Sequence, residues 1–244
     1  MPFLLEIHGL SKSFGGLQAV ADANLHLDRG EILGLIGPNG SGKTTLFNLI
    51  SGMLKPDKGS VLLDGKNITG AGPAAVCGMG IARTFQIPLP FSRLTVLENV
   101  KFGRAYGSAP SKTMELAEQE GEDILRFIGL ETKRLVLSGR LGLLDRKRLE
   151  LGKALATRPK ILLLDEILGG LNPTEIENAM ELILSIRRSG VSLIVVEHVM
   201  KAIMGISDRV VVLNSGRIIV EGRPETVIQD ERVVEAYLGV DQPC

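Results

Sequence analysis

Short apolar stretches bounded by turn residues open the chain and predict strands. Phe3–Ile7 comes first, then Leu17–Leu27, where apolar and polar residues alternate with the period of a strand that buries one face. A turn at Asp28-Arg29-Gly30 leads into Ile32–Ile36, an unbroken apolar run that suits a strand buried on both faces. A helix is expected from near Lys43 to just before Gly52, a natural stop. Turn chemistry at Lys55–Gly59 and Asp64-Gly65 frames a further strand over Ser60–Leu63, which suggests a small antiparallel lobe.

From Leu94 to about Arg158 the period changes to that of helix. Thr95–Phe102, Lys112–Ile128 and Arg146–Thr157 read as helices, and Gly103–Pro110 as a linker. Strands return at Ile161–Leu164 and Ser192–Val196. Between them lies a helix capped by Asn172 and opened by Pro173, with Ile176, Met180 and Ile183 as its buried stripe and Gly190 as its end. A short helix, a hairpin over Arg209–Glu221 turning at Asn214-Ser215-Gly216, and a helical tail complete the pattern. The pattern predicts an α/β core with an antiparallel β lobe over residues 1–87 and 156–244, interrupted by a helical subdomain over 88–155.

Composition supports this reading. The 244 residues are 44% hydrophobic but only 4% aromatic, so the apolar mass is aliphatic, as parallel strands require. Lys and Arg total 28 against 28 Asp and Glu, a balance that gives no basic field for nucleic acid or an anionic membrane. Cys77 and Cys244 lack CxxC spacing and point to a reducing compartment without disulfides. No stretch reaches the roughly 18 apolar residues of a membrane helix, and the first ten residues lack the basic region and long apolar run expected of a leader. A soluble, cytoplasmic chain is expected, so any membrane partner is a separate polypeptide.

The chemistry concentrates at a few places. Gly37-Pro38-Asn39-Gly40-Ser41-Gly42-Lys43-Thr44 fits GxxxxGK[ST] between a predicted strand and a predicted helix, the context this phosphate-binding loop requires. Its glycines let backbone N–H groups face phosphates, Lys43 neutralises β/γ oxygens, and the Thr44 hydroxyl is placed to ligate Mg²⁺. Ile161–Leu164 ends in Asp165-Glu166, where Asp165 can hold magnesium through water and Glu166 can polarise the attacking water. His198 follows a buried strand at the edge where open α/β sheets bind ligands, although a lone histidine also serves structural roles. Gln86 can reach a metal or its water, or be a solvated loop residue. Phe14 can stack on adenine or plug the fold.

The order of these pieces resembles the ATP-binding-cassette (ABC) ATPase family over nearly the whole chain. The resemblance implies a RecA-like parallel sheet, with Phe14 as the adenine-stacking residue and 37–45 (Gly37, Asn39, Gly40, Ser41, Gly42, Lys43, Thr44 and Thr45 among them) as the Walker A loop. It makes Gln86 the Q-loop glutamine, Asp165 the Walker B aspartate, Glu166 the catalytic glutamate and His198 the switch histidine, with Thr44, Gln86 and Asp165 around Mg²⁺. ATP is then the nucleotide. Implied partners are membrane permeases, a second ATPase subunit, identical or not, and indirectly an extracytoplasmic solute-binding protein. The location implied is the inner face of the cell membrane.

Phe14-Gly15-Gly16-Leu17, Gly170-Leu171-Asn172-Pro173-Thr174-Glu175 and the ending Ala236-Tyr237-Leu238-Gly239 resemble the ATPases of branched-chain amino acid uptake. The ATPase of lipopolysaccharide export shares a similar ending, and soluble cassettes of translation or DNA repair are the alternative class. The chain departs from the family where the signature Leu-Ser-Gly-Gly-Gln is expected: it has Leu141-Gly142-Leu143-Leu144-Asp145, without the serine and both glycines. Ile167 replaces the usual proline, and Asn172 a frequent aspartate.

Overall fold

The computed structural model describes residues 3–238. Two sheets and nine α-helices make up those residues. In chain order they are β1 (Leu5–Phe14), β2 (Leu17–Leu27), β3 (Ile32–Ile36), α1 (Lys43–Ile50), β4 (Lys58–Leu63), β5 (Lys66–Asn67), α2 (Pro73–Met79) and β6 (Ile81–Arg83). Then follow α3 (Val96–Tyr106), α4 (Met114–Phe127), α5 (Leu143–Ala156), β7 (Ile161–Asp165), α6 (Pro173–Arg188), β8 (Ser192–Val196), α7 (Met200–Ile206), β9 (Arg209–Asn214), β10 (Arg217–Gly222), α8 (Pro224–Val227) and α9 (Glu231–Leu238).

The larger sheet runs β10-β9-β3-β8-β7-β6. Its strands are parallel apart from β10, which returns antiparallel to β9. All five residues of β3, β7 and β8 are buried, which explains their unbroken apolar sequence. The smaller sheet, β2-β1-β4-β5, is antiparallel. From Ala21 onward β2 buries alternate residues. One apolar core lies between the two sheets and encloses Leu46, Phe47 and Ile50 of α1. A second covers the opposite face of the parallel sheet, where Ile183 and Ile186 of α6 meet Ile203 and Ile206 of α7. The stripe expected on α6 is displaced by one turn: Ile176 and Met180 pack only partly buried at the edge of that core.

A third core joins α3, α4 and α5 through Val96, Val100, Leu125 and Leu149. Thr95 begins α3 with a capping box, accepting from Glu98 N–H at 3.2 Å while Glu98 Oε2 accepts from Thr95 N–H at 2.7 Å.

Several boundaries differ from the sequence reading. β1 continues past Ile7 to Phe14 because its bulged pairing with β2 extends to the Phe14–Leu17 turn. Helix α5 starts at Leu143 rather than Arg146, and α2 and β5 were not anticipated. The segment Gly103–Pro110 is a linker only in its second half, because α3 runs to Tyr106. Gly103 is there for packing: a β-carbon on it would lie 2.6 Å from Ala156 Cβ and 2.7 Å from Lys153 O where α3 crosses α5. Beside it Arg104, 1% exposed, donates to Glu120 Oε2 (2.8 Å) and Ala156 O (2.8 Å) and so ties all three helices together. Cys77 is a free thiol, and Cys244 lies outside the described residues.

Alanine is favoured over glycine in a helix by about 1 kcal/mol, whereas overpacking costs about 1–3 kcal/mol. The clash with backbone at Lys153 O leaves little room to relax, so Gly103→Ala is expected to lower stability in urea unfolding despite its better helix propensity.

Candidate functional site

The five parallel strands β9, β3, β8, β7 and β6 deliver their carboxyl ends to one edge of the sheet, the edge where such folds place ligands. The phosphate loop leaves β3 and enters α1. Gly37 (φ +152°) and Gly42 (φ +107°) admit no side chain: a β-carbon would meet Leu213 O at 2.0 Å and Ala19 O at 2.3 Å, respectively. Lys43 lies buried along the loop, donating to Gly37 O (2.8 Å) and Pro38 O (2.9 Å). Burial pushes its ammonium pKa down, while Glu166 and then Asp165 pull it up. Ser41 is buried, whereas Asn39, Gly40 and Thr44 are exposed and Thr45 half-buried at the mouth.

Asp165 ends β7 and pairs with Arg83 Nη2 at 2.7 Å, with both side chains 8% exposed. The next residue, Glu166, has φ +50°, a left-handed conformation that costs a non-glycine residue roughly 1 kcal/mol or more. Its amide donates to Val196 O at 2.9 Å, so β8 holds the kink. The kink breaks strand alternation and brings two consecutive carboxylates to the phosphate edge. Glu166 Oε1 lies 2.8 Å from His198 Nε2, and Glu166 Oε2 accepts from Gln86 Nε2. Of the three residues singled out as catalytic, Glu166 therefore contacts both of the others. Together with Lys43, Thr44, Thr45, Phe14 and the loop they line a cavity of about 490 Å³, apart from Gln86, which reaches it through Glu166. Phe14, 46% exposed, stands at its rim on the antiparallel lobe, with Lys12 Nζ 5.8 Å from its ring centroid.

Some contributors carried no sequence signal. Nothing in the spacing of Arg83 announces a partner for Asp165, 82 residues away. Behind the site, Lys147 of α5 donates to Ile167 O at 2.8 Å, and Glu197 Oε1 accepts from Leu168 N–H at 2.7 Å. The backbone after Glu166 is thus held by the helix that the altered signature opens and by the residue before His198.

A family model described as ABC transporter matches residues 20–169, and a second, described as branched-chain amino acid ATP-binding cassette transporter, matches residues 217–242. The chain belongs to the ABC transporter family. Among similar proteins, the high-affinity branched-chain amino acid transport ATP-binding protein LivG of Escherichia coli K12 is 39% identical, over 97% of this chain and 98% of its own. BraF of Pseudomonas aeruginosa, with the same description, is 35% identical over 97% and 98%. A nucleotide-free ATP-binding cassette from an ABC transporter superposes with a TM-score of 0.88 at 33% identity, covering 98% of this cassette and all of that one. A related cassette in its ADP conformation matches equally well. This cassette is accordingly an ATP-binding subunit and an ATPase of that family.

Glu197 gives the cassette a pH signature. Burial raises its pKa from 4.5 to about 7, against the opposing Leu168 N–H and Lys147, with Glu166 adding to the rise. Between those values the folded state holds a proton that the unfolded state has released, so stability falls as pH rises through the window. Unfolding at about pH 5 and about pH 8 should show a decline on the order of 3 kcal/mol that Glu197→Gln removes. A variant with the wild-type pH dependence would place the buried proton elsewhere.

Proposed function

We propose that this cassette drives a branched-chain amino acid importer, using the phosphate-loop site to bind Mg-ATP and Glu166 to activate water. The observation that carries the hydrolytic part is the Glu166 carboxylate, kinked out of its strand and held between His198 and Gln86 beside the loop. The second family model and the named relatives support the substrate class. Phe14 receives the adenine and the Gly37–Thr45 backbone the phosphates, with Lys43 moving from loop carbonyls towards β/γ oxygens. Glu166 takes the proton of the attacking water, His198 and Gln86 fix its orientation, and His198 is close enough to the loop to meet the γ-phosphate.

Thr44, Gln86 and Asp165 offer hydroxyl, amide and carboxylate oxygens, the hard donors magnesium favours, and they are few enough for an ion that arrives on phosphates. When bound, Mg²⁺ neutralises charge on the transferred phosphoryl group. Arg83 holds Asp165 in place for this until then.

Membrane permeases are the partners this reading requires, since no helix among the described residues is long and apolar enough to cross a membrane. An apolar groove of about 380 Å³ between the parallel sheet and α3 exposes Met53, Phe85, Phe91, Phe102 and Tyr106 next to the Gln86 loop. A permease segment seated there can sense the loop that contacts Glu166. The work is placed at the inner face of the membrane, with a solute-binding protein on the far side.

The second ATPase is proposed to be a different chain. In the family's paired arrangement the signature of one subunit meets the nucleotide of the other. Here Gly142 caps α5 without a side-chain hydrogen bond, Leu143 lies against Gly170, and Asp145 in the first turn pairs with Lys133. These side chains supply no hydroxyl and place a carboxylate where an anion should sit. A partner with an ordinary signature completes the site on Lys43 and Glu166 and leaves the other site weak.

Glu166→Gln should lower hydrolysis by roughly 10²–10⁴ while nucleotide binding persists. Turnover of the purified chain should rise sharply when a second, different cassette from its transporter is added. Turnover near wild type in the variant would remove Glu166 from its role, and full turnover by the chain alone would remove the need for an unlike partner.

A further inference from the structure

The ending Ala236-Tyr237-Leu238-Gly239 has no part in the chemistry above, yet Tyr237 touches the phosphate loop. Val233 and Tyr237 stand four residues apart on α9 and so share a face. Val233 is buried in the core on the outer face of the parallel sheet, with Val220 and Val227 in the same cluster, which seats the helix. One turn later the Tyr237 hydroxyl accepts from Gly37 N–H at 2.8 Å. The carbonyl of the same glycine accepts from Lys43 Nζ at 2.8 Å. Gly37 is thus held on both sides, by the C-terminal helix through its N–H and by the phosphate-binding lysine through its C=O. A loop with glycines at 37, 40 and 42 has much backbone freedom to lose on binding, and an anchor outside the loop removes part of it beforehand.

We propose that Tyr237 is a positioning residue for the phosphate loop: its hydroxyl fixes the Gly37 amide, keeps the loop and Lys43 in the receptive conformation, and couples nucleotide affinity to docking of the C-terminal helix. The proposal rests on the nucleotide-site reading above. Coupling of this kind is reciprocal, so a bound nucleotide also tightens the helix. Tyr237→Phe keeps the ring and its packing and removes only the acceptor.

The test is calorimetric titration of the full chain with Mg-ADP, with Lys43→Ala alongside. Tyr237→Phe should bind roughly three- to twentyfold more weakly than wild type, with a thermal midpoint lowered by no more than the few degrees that one lost hydrogen bond accounts for. In the assembled transporter its KM for ATP should rise while kcat stays within about twofold. Mg-ADP should slow amide exchange over residues 231–237 in the wild type and do so less in Tyr237→Phe. Wild-type affinity in Tyr237→Phe, or protection of residues 231–237 by Mg-ADP equal to that in the wild type, would overturn the proposal and leave Tyr237 a packing residue. Undiminished binding by Lys43→Ala would instead overturn the nucleotide site itself, and this proposal with it.

Discussion

Two carbonyl oxygens from other strands set the shape of the phosphate loop. Leu213 O at the end of β9 and Ala19 O in β2 occupy the space that β-carbons on Gly37 and Gly42 would need. The loop is therefore clamped between the parallel sheet and the antiparallel lobe. Gly216 closes the clamp, donating to Ser41 O at 2.9 Å and accepting from Ala21 N–H at 2.8 Å. Because loop, lobe and the β9–β10 turn form one hydrogen-bonded piece, Phe14 on the lobe keeps a fixed relation to Lys43. Glu166 and His198 approach from strands parallel to β3, so the same sheet that carries the loop carries the groups that act on what it holds.

Charge follows from that geometry. The site gathers Lys43, Arg83, Asp165 and Glu166, and each cation has an internal partner. Lys43 bonds to the loop's own carbonyls, and Arg83 bonds to Asp165. Burial disfavours the charge on Lys43, and only the nearby carboxylates offset this. Incoming phosphates supply a stronger partner at the spot where the ammonium is under-solvated, so binding relieves a penalty already present in the fold. The left-handed Glu166 is a second stored cost, maintained by β8 through Val196 O.

The strand-loop-helix of residues 32–50 was legible because period, glycine placement and a lysine at fixed spacing all encode local geometry. Asp165-Glu166 was legible for the same reason, and the helical insert from its change of period. Family resemblance gave Gln86, Glu166 and His198 roles at one site, but the Gln86–Glu166 and Glu166–His198 contacts themselves join residues 80 and 32 positions apart and left no sequence signal. Gly103 was misread because a glycine that permits two helices to touch looks the same in sequence as one that ends a helix. Arg83 and Arg104, buried and paired with distant carboxylates, left no local trace, and neither did the reach of Tyr237 to Gly37.

If the clamped loop and Lys43 are what bind the nucleotide, affinity must come from the phosphates beyond the first. Titration of the unaltered chain with Mg-ATP, Mg-ADP and AMP measures this without a mutation. Losing two or more charge-assisted hydrogen bonds should make AMP at least roughly a hundredfold weaker than ATP or ADP. AMP binding as tightly as ATP would mean that the loop contributes nothing to affinity and would contradict the account at its centre.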